Sequence, residues 1–133
     1  MKSVFVDTSA FYAAINRRDR HHEEAACLFE LATAEQWRLI TSNFVLAETH
    51  ALILTRLGRR FATAWLRNVP AFIARISRED EHAGLQIILG HHDKAFSYCD
   101  ATSFAIISRL KIRSAIAFDR HFRQFGKFEL LGV

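Results

Sequence analysis

Two hydrophobic periods take turns along this chain. Short runs of β-branched and aromatic residues mark strands, and between them lie longer stretches whose apolar positions recur every three or four residues, as in helices. Strands are expected over residues 2–6, 39–41, 72–76, 114–118 and 128–130. Helices are expected over 9–16, 22–36, 43–57, 59–68, 79–89 and 100–110, with a single turn at 120–124. In the second helix Ala25, Ala26, Leu28, Phe29, Leu31 and Ala32 share a broad face. In the third, capped by Ser42 or Asn43 and stopped by Gly58, the stripe is Val45, Leu46, Leu52, Ile53 and Leu57. Strands alternating with helices imply an α/β sandwich around a mostly parallel sheet.

Composition narrows the class. No repeat, linker or low-complexity segment interrupts the 133 residues, and Pro70 is the single proline, so 1–133 is read as one domain. Half the residues are hydrophobic and 24% are charged, a folded rather than disordered balance. No apolar run approaches the roughly 20 residues of a membrane helix. The opening Val4-Phe5-Val6 is too short for a secretory signal, so a cytoplasmic location without membrane attachment is expected. Cys27 and Cys99 form neither a disulfide framework nor a paired zinc motif, and both are expected as buried free thiols.

The formal charge is +4, from 18 basic and 14 acidic residues. That mild bias suits an anionic polymer as partner. It sharpens when the acids are sorted. Asp7 follows the apolar run Val4-Phe5-Val6, and Asp119 follows Ala115-Ile116-Ala117-Phe118. Each is an acid at the carboxyl end of a strand, where a parallel sheet opens its ligand crevice. Asp100 stands before Ala101-Thr102-Ser103 and an apolar helix, a capping position facing the same edge. Glu48 lies within Phe44-Val45-Leu46-Ala47 and Ala51-Leu52, where a carboxylate beside a core stripe calls for a cation or donors. Singly, each acid has an ordinary reading as a cap, turn former or exposed side chain. Gathered together they would repel one another, and a divalent cation relieves that repulsion. Mg²⁺ takes oxygen ligands and bridges to phosphate, where it polarises the phosphoryl group and activates water.

The acids and their neighbours resemble those of the PIN-domain nucleases, and specifically the VapC-like toxins of bacterial toxin–antitoxin pairs. The similar segments are Val4-Phe5-Val6-Asp7-Thr8-Ser9-Ala10, Thr41-Ser42-Asn43-Phe44-Val45-Leu46-Ala47-Glu48, Phe96-Ser97-Tyr98-Cys99-Asp100-Ala101-Thr102-Ser103 and Ala117-Phe118-Asp119-Arg120-His121-Phe122. Their order and spacing span nearly the whole chain, although no one of them is specific alone. The resemblance implies a PIN-like α/β/α sandwich and a Mg²⁺-dependent endoribonuclease, with Mn²⁺ as a substitute, leaving 5′-phosphate and 3′-hydroxyl ends. It implies Asp7, Glu48, Asp100 and Asp119 as the catalytic acids. By the same resemblance Asp7 and Asp100 would be the direct metal ligands, and Glu48 and Asp119 would act through water or complete a second metal site. Thr8 or Ser9 would hold the first acid or a metal-bound water, with Asn43 and Ser103 as supporting donors. RNA as substrate, a cognate antitoxin as partner and a homodimer follow from the same resemblance.

Other residues have plainer readings. His21-His22 and His91-His92 lack the spacing of zinc ligands and are read as exposed or capping, and His121 as structural. Arginines cluster at Arg17, Arg18 and Arg20, again at Arg56, Arg59 and Arg60, and near Arg120 and Arg123. The first group is the preferred RNA contact, through phosphate. Phe61, Trp65, Leu66 and Phe72 are read as core, with an apolar groove for an antitoxin or a dimer face as the alternative. Two rival functions remain: a phosphatase with Asp7 as nucleophile, and a non-catalytic RNA-binding or scaffold domain. A phosphatase favours a second acid two residues on, where this chain has Ser9. A scaffold gains nothing from clustered like charge.

Overall fold

A computed structural model describes residues 1–132. The elements run β1 (Ser3–Val6), α1 (Thr8–Ile15), α2 (His22–Ala34), β2 (Arg38–Ser42), α3 (Asn43–Leu57), α4 (Arg59–Arg67), β3 (Phe72–Ala74), α5 (Arg78–Gly90), α6 (Tyr98–Arg109), β4 (Ser114–Ile116), α7 (Arg120–Phe125) and β5 (Glu129–Leu131). The strands form one sheet in the order β3-β2-β1-β4-β5, and every pairing is parallel. The expected α/β architecture is therefore present, and the sheet is wholly rather than mostly parallel.

Val4, Phe5 and Val6 are consecutive, so they point to opposite faces of the sheet, and all are fully buried. Only a sheet covered on both faces buries them so, as parallel sheets require. The helices supply that cover, with α1 packed on α2 and α3, α3 on α4, and α5 on α6. α5 and α6 approach each other closely. A Cβ on Gly84 would lie 2.9 Å from Thr102 Cγ2, so glycine lets these helices close. The same pair is clamped where Arg109 Nε and Nη2 donate to Asp80 Oδ1 and Oδ2 at 2.8 and 2.9 Å. An aromatic cluster of Phe96, Phe104, Phe122, Phe125 and Phe128 joins α6 to α7 and β5.

Several boundaries differ from expectation for local reasons. β3 stops at Ala74, and just beyond it Ile76 N turns to the start of α3 and donates to Asn43 Oδ1 at 2.8 Å. Ser42, not Asn43, caps α3, its Oγ accepting from Val45 N. α6 begins at Tyr98 rather than Asp100, with Ser97 and Asp100 forming a capping box. Cys27 is exposed, and Cys99 is half-buried rather than fully so. Cys27 lies two residues beyond fully buried Ala25, about 200° around the helix and so on its far side. Among the described residues no helix is long and apolar enough to cross a membrane.

Candidate active site

Strand order decides which side chains meet. β1 leads to β2 on one side, and its other neighbour is β4, so the switch point of the sheet lies between β1 and β4. Val6 pairs with Ile116 there, and Asp7 N donates to Ile116 O at 3.1 Å. Asp7 and Asp119 thus leave adjacent parallel strands at the same end. Each then caps the helix that follows. Asp7 Oδ2 accepts from Ser9 N at 3.2 Å, and Asp119 Oδ1 accepts from His121 N at 2.8 Å. Asp100 joins them from the first turn of α6, its Oδ2 accepting from Ser97 N at 3.1 Å.

These three carboxyls share one arrangement. The protein holds one oxygen of each: Oδ2 of Asp7, through Ser9 N and Ser9 Oγ; Oδ2 of Asp100, through Ser97 N and His121 Nδ1; and Oδ1 of Asp119. No described protein donor meets the other oxygen. Yet no buried side-chain oxygen lacks a hydrogen-bond partner among the described residues. The free oxygens therefore keep some contact with solvent. One oxygen is anchored and one is offered, as a ligand set for a hard cation requires.

Charge is concentrated accordingly. Burial lifts the Asp7 carboxyl to about 7, with the charges of Asp100 and Asp119 adding to the rise and the two Ser9 hydrogen bonds opposing it. One donor atom from each of Asp100, Asp119 and His121 lies within 4.8 Å of the others. These groups fit a divalent cation, by the oxygen character of the acids and by the unfavourable charge that Asp7 feels without one. Asp7, expected as a direct ligand, stands beside this trio rather than within it.

Glu48 enters from a different side. It is exposed on α3, not set against the core. Cys99 links it to the site: burial and the charges of Glu48, Asp7 and Asp100 push that thiol upward. Cys99 therefore lies among three of the four acids, and Glu48 stands at the rim.

The supporting residues divide. Ser9, not Thr8, holds the first acid. Its Oγ donates to Asp7 Oδ2 at 2.7 Å and accepts from Phe118 N at 2.9 Å. Thr8 Oγ1 instead accepts from Thr49 Oγ1 at 2.9 Å, tying α1 to α3. Asn43 holds Ile76, and Ser103 donates to Cys99 O, so neither hydrogen-bonds an acid. The residue that sequence reasoning undervalued is His121, whose Nδ1 lies 2.8 Å from Asp100 Oδ2 and 3.5 Å from Asp119 Oδ1. Its position two residues beyond an expected acid was the available signal. Fully buried Thr41, donating to Val6 O at 2.8 Å, was also missed and fixes the strand end before Asp7.

Arg17, Arg18 and Arg20 are exposed in the α1–α2 connection. Arg20 Nε donates to His21 Nε2 at 3.1 Å, and the His21 ring stacks on Phe118 at 4.5 Å, next to Asp119. This places the arginine loop beside the acids. In the other histidine pair, His91 is the C-cap of α5, its Nδ1 2.8 Å from Ile87 O, and His92 is exposed.

Known proteins share this chain's pattern. The PIN domain model matches residues 4–128. The 23S rRNA-specific endonuclease VapC20 of Mycobacterium tuberculosis is 32% identical over 130 residues, covering 96% of this chain and 97% of the relative. Its crystal structure, described as that of a sarcin-ricin loop cleaving toxin, aligns with a TM-score of 0.85 at 32% identity over 95% of this chain and 97% of that one. A VapC ribonuclease of Archaeoglobus fulgidus is 26% identical over 124 residues, 90% of this chain and 79% of the relative.

Proposed function

The chain belongs to the PIN-domain family, and from that membership we propose that it is a metal-dependent endoribonuclease acting as the toxin of a toxin–antitoxin pair. The observation that carries this reading is the convergence of Asp7, Asp100 and Asp119 at the switch point, each with one oxygen anchored and one free. Asp100 and Asp119 would hold Mg²⁺ or Mn²⁺, and Asp7 would reach the ion from beside them, with Glu48 at the rim. The ion would supply polarisation of the phosphoryl group and offset the carboxylate charge.

The chain's own groups do the rest. Ser9, Ser97 and His121 N fix the three acids before substrate arrives, so little reorganisation is needed. The arginine loop binds phosphates flanking the scissile bond and orients the strand. Water oxygen bonds to phosphorus and releases a proton to solvent, the P–O3′ bond breaks, and the 3′ oxygen takes up a proton from solvent. Because Ser9 is engaged on both sides and carries no acid, it supplies no leaving-group proton, which disfavours the phosphatase reading.

At 32% identity to an enzyme named for 23S rRNA, ribosomal RNA is the first substrate to test. The antitoxin is proposed to lie in an apolar groove of about 1230 Å³ lined by Phe11, Ile15, Phe29, Phe61, Trp65 and Phe72. A homodimer is part of the same proposal, and sedimentation equilibrium decides it. The function is tested by incubating the purified chain with an RNA pool containing 23S rRNA. Cuts made with Mg²⁺ or Mn²⁺ and abolished by EDTA support it, and intact RNA in every arm refutes it.

A further inference from the structure

His121 is the side chain of the pocket that the acids alone do not explain. Its Nδ1 lies 2.8 Å from Asp100 Oδ2, and its side chain is only 18% exposed. With Asp100 as the carboxylate a metal ligand must be, the hydrogen of this contact sits on Nδ1. The ring is not free to turn away. Phe96 packs edge-on against it at 5.8 Å, and Phe96 is itself braced by Phe104 and Phe125. The backbone is fixed as well, because His121 N is the donor that Asp119 caps. One residue therefore touches two acids, from its main chain to Asp119 and from its ring to Asp100.

The consequence falls on Asp100. Its two hydrogen bonds, from Ser97 N and His121 Nδ1, both end on Oδ2. The capping bond alone leaves the carboxylate able to rotate about its last torsion, which is a broad and soft one. A second donor from another direction on the same oxygen removes that freedom and turns Oδ1 to the pocket. We propose that His121 is a positioning residue for the site: its Nδ1–H locks Asp100 so that Oδ1 is presented to the metal, while its backbone amide sets Asp119. This rests on the nuclease reading for its purpose, although its effect on metal binding does not need RNA.

The test compares wild type with His121→Asn, His121→Gln and His121→Phe, reading Mn²⁺ affinity by EPR titration and RNA cleavage separately. Asparagine places an N–H near the Nδ1 position, whereas glutamine reaches past it and phenylalanine has none. Matched melting curves show that each variant is folded, and the asparagine–glutamine pair carries the comparison if phenylalanine fails to fold. The expected result is a 10–100-fold loss of Mn²⁺ affinity in the glutamine and phenylalanine variants, the usual effect of losing a group that orients a ligand, with most of it recovered in the asparagine variant. Affinities equal to wild type in all three overturn the proposal. So does pulsed EPR showing a coordinated imidazole nitrogen in wild type, which makes His121 a direct ligand. If wild type binds Mn²⁺ yet cuts no RNA, the nuclease reading fails while the affinities still judge His121.

Discussion

Ser9 Oγ donates to Asp7 Oδ2 at 2.7 Å, and through its other side accepts from Phe118 N at 2.9 Å. One hydroxyl thus spans the gap between the end of β1 and the segment leading from β4 to Asp119. Ser9→Ala removes the anchor of the first acid and leaves Phe118 N without its acceptor. The variant is expected to lose about 1–3 kcal/mol of stability, the usual cost of an orphaned buried group. Cleavage is expected to fall about 10–100-fold. Denaturant melts and single-turnover rates read the two effects.

Asp7 links function to instability. Its carboxyl takes up a proton near pH 7 when folded but near 3.8 when unfolded. The folded state therefore binds more protons between those values, and the metal-free protein loses stability as pH rises from about 4 to 7. Below about pH 4 both states are protonated and the difference disappears. Asp7→Asn keeps the cap but cannot ionise, so it is expected to be more stable than wild type at pH 7.5 without metal, by up to roughly 4 kcal/mol. Added Mg²⁺ or Mn²⁺ is expected to raise the melting temperature of wild type and not of this variant. Thermal melts across pH, with and without metal, check both.

Asp80 is 1% exposed and bonded by Arg109. Burial would raise its carboxyl, but the Arg109 and Ser77 hydrogen bonds outweigh it and hold the carboxyl below its usual range. That contribution is present above about pH 4 and is lost as the pH falls through the depressed value. Arg109→Met is expected to cost about 1–3 kcal/mol at neutral pH, less than a fully buried pair because the arginine is part-exposed. The penalty is expected to shrink by pH 3 and to leave the cleavage pattern unchanged. Urea melts at both pH values test it.

Replacing Arg17, Arg18 and Arg20 together by alanine is expected to weaken RNA binding. It should also flatten the dependence of log affinity on log salt by about 2 units, at roughly 0.7 per phosphate contact on a single strand. Filter binding at several ionic strengths measures the slope. An unchanged slope places these exposed side chains outside the RNA path.

The apolar groove offers a separate test of the partner. Phe61 and Phe72 are 56% and 64% exposed, so neither is needed for the core. Phe61→Asp with Phe72→Asp is expected to abolish binding of the proposed antitoxin while leaving cleavage intact. Co-purification and cleavage assays read the two arms.

The sequence disclosed the acids because aspartates end apolar runs and cap helices, and both habits leave local signals. It did not disclose how β4 comes to lie beside β1, which depends on contacts between distant segments. Adjacent hydroxyls were ambiguous for the same reason: Thr8 and Ser9 point about 100° apart on a helix, and only packing decides that Ser9 meets the acid. Asn43 looked like a site residue but spends its side chain on Ile76. His121 was undervalued because Asp100, its ring's partner, lies 21 residues away in the chain. The apolar neighbours of Glu48 left open whether it faces the core or solvent; the fully buried positions of α3 are Val45, Thr49 and Ile53, a narrow stripe that leaves it outside.

The most direct measurement is single-turnover RNA cleavage by wild type and Asp100→Asn under saturating Mn²⁺, with both proteins shown to be folded. Asparagine keeps an acceptor for Ser97 N but withdraws the charge that the pocket uses. The account predicts a loss of at least about 100-fold, the scale of removing one electrostatic group from an active site. Cleavage by Asp100→Asn at the wild-type rate would contradict it.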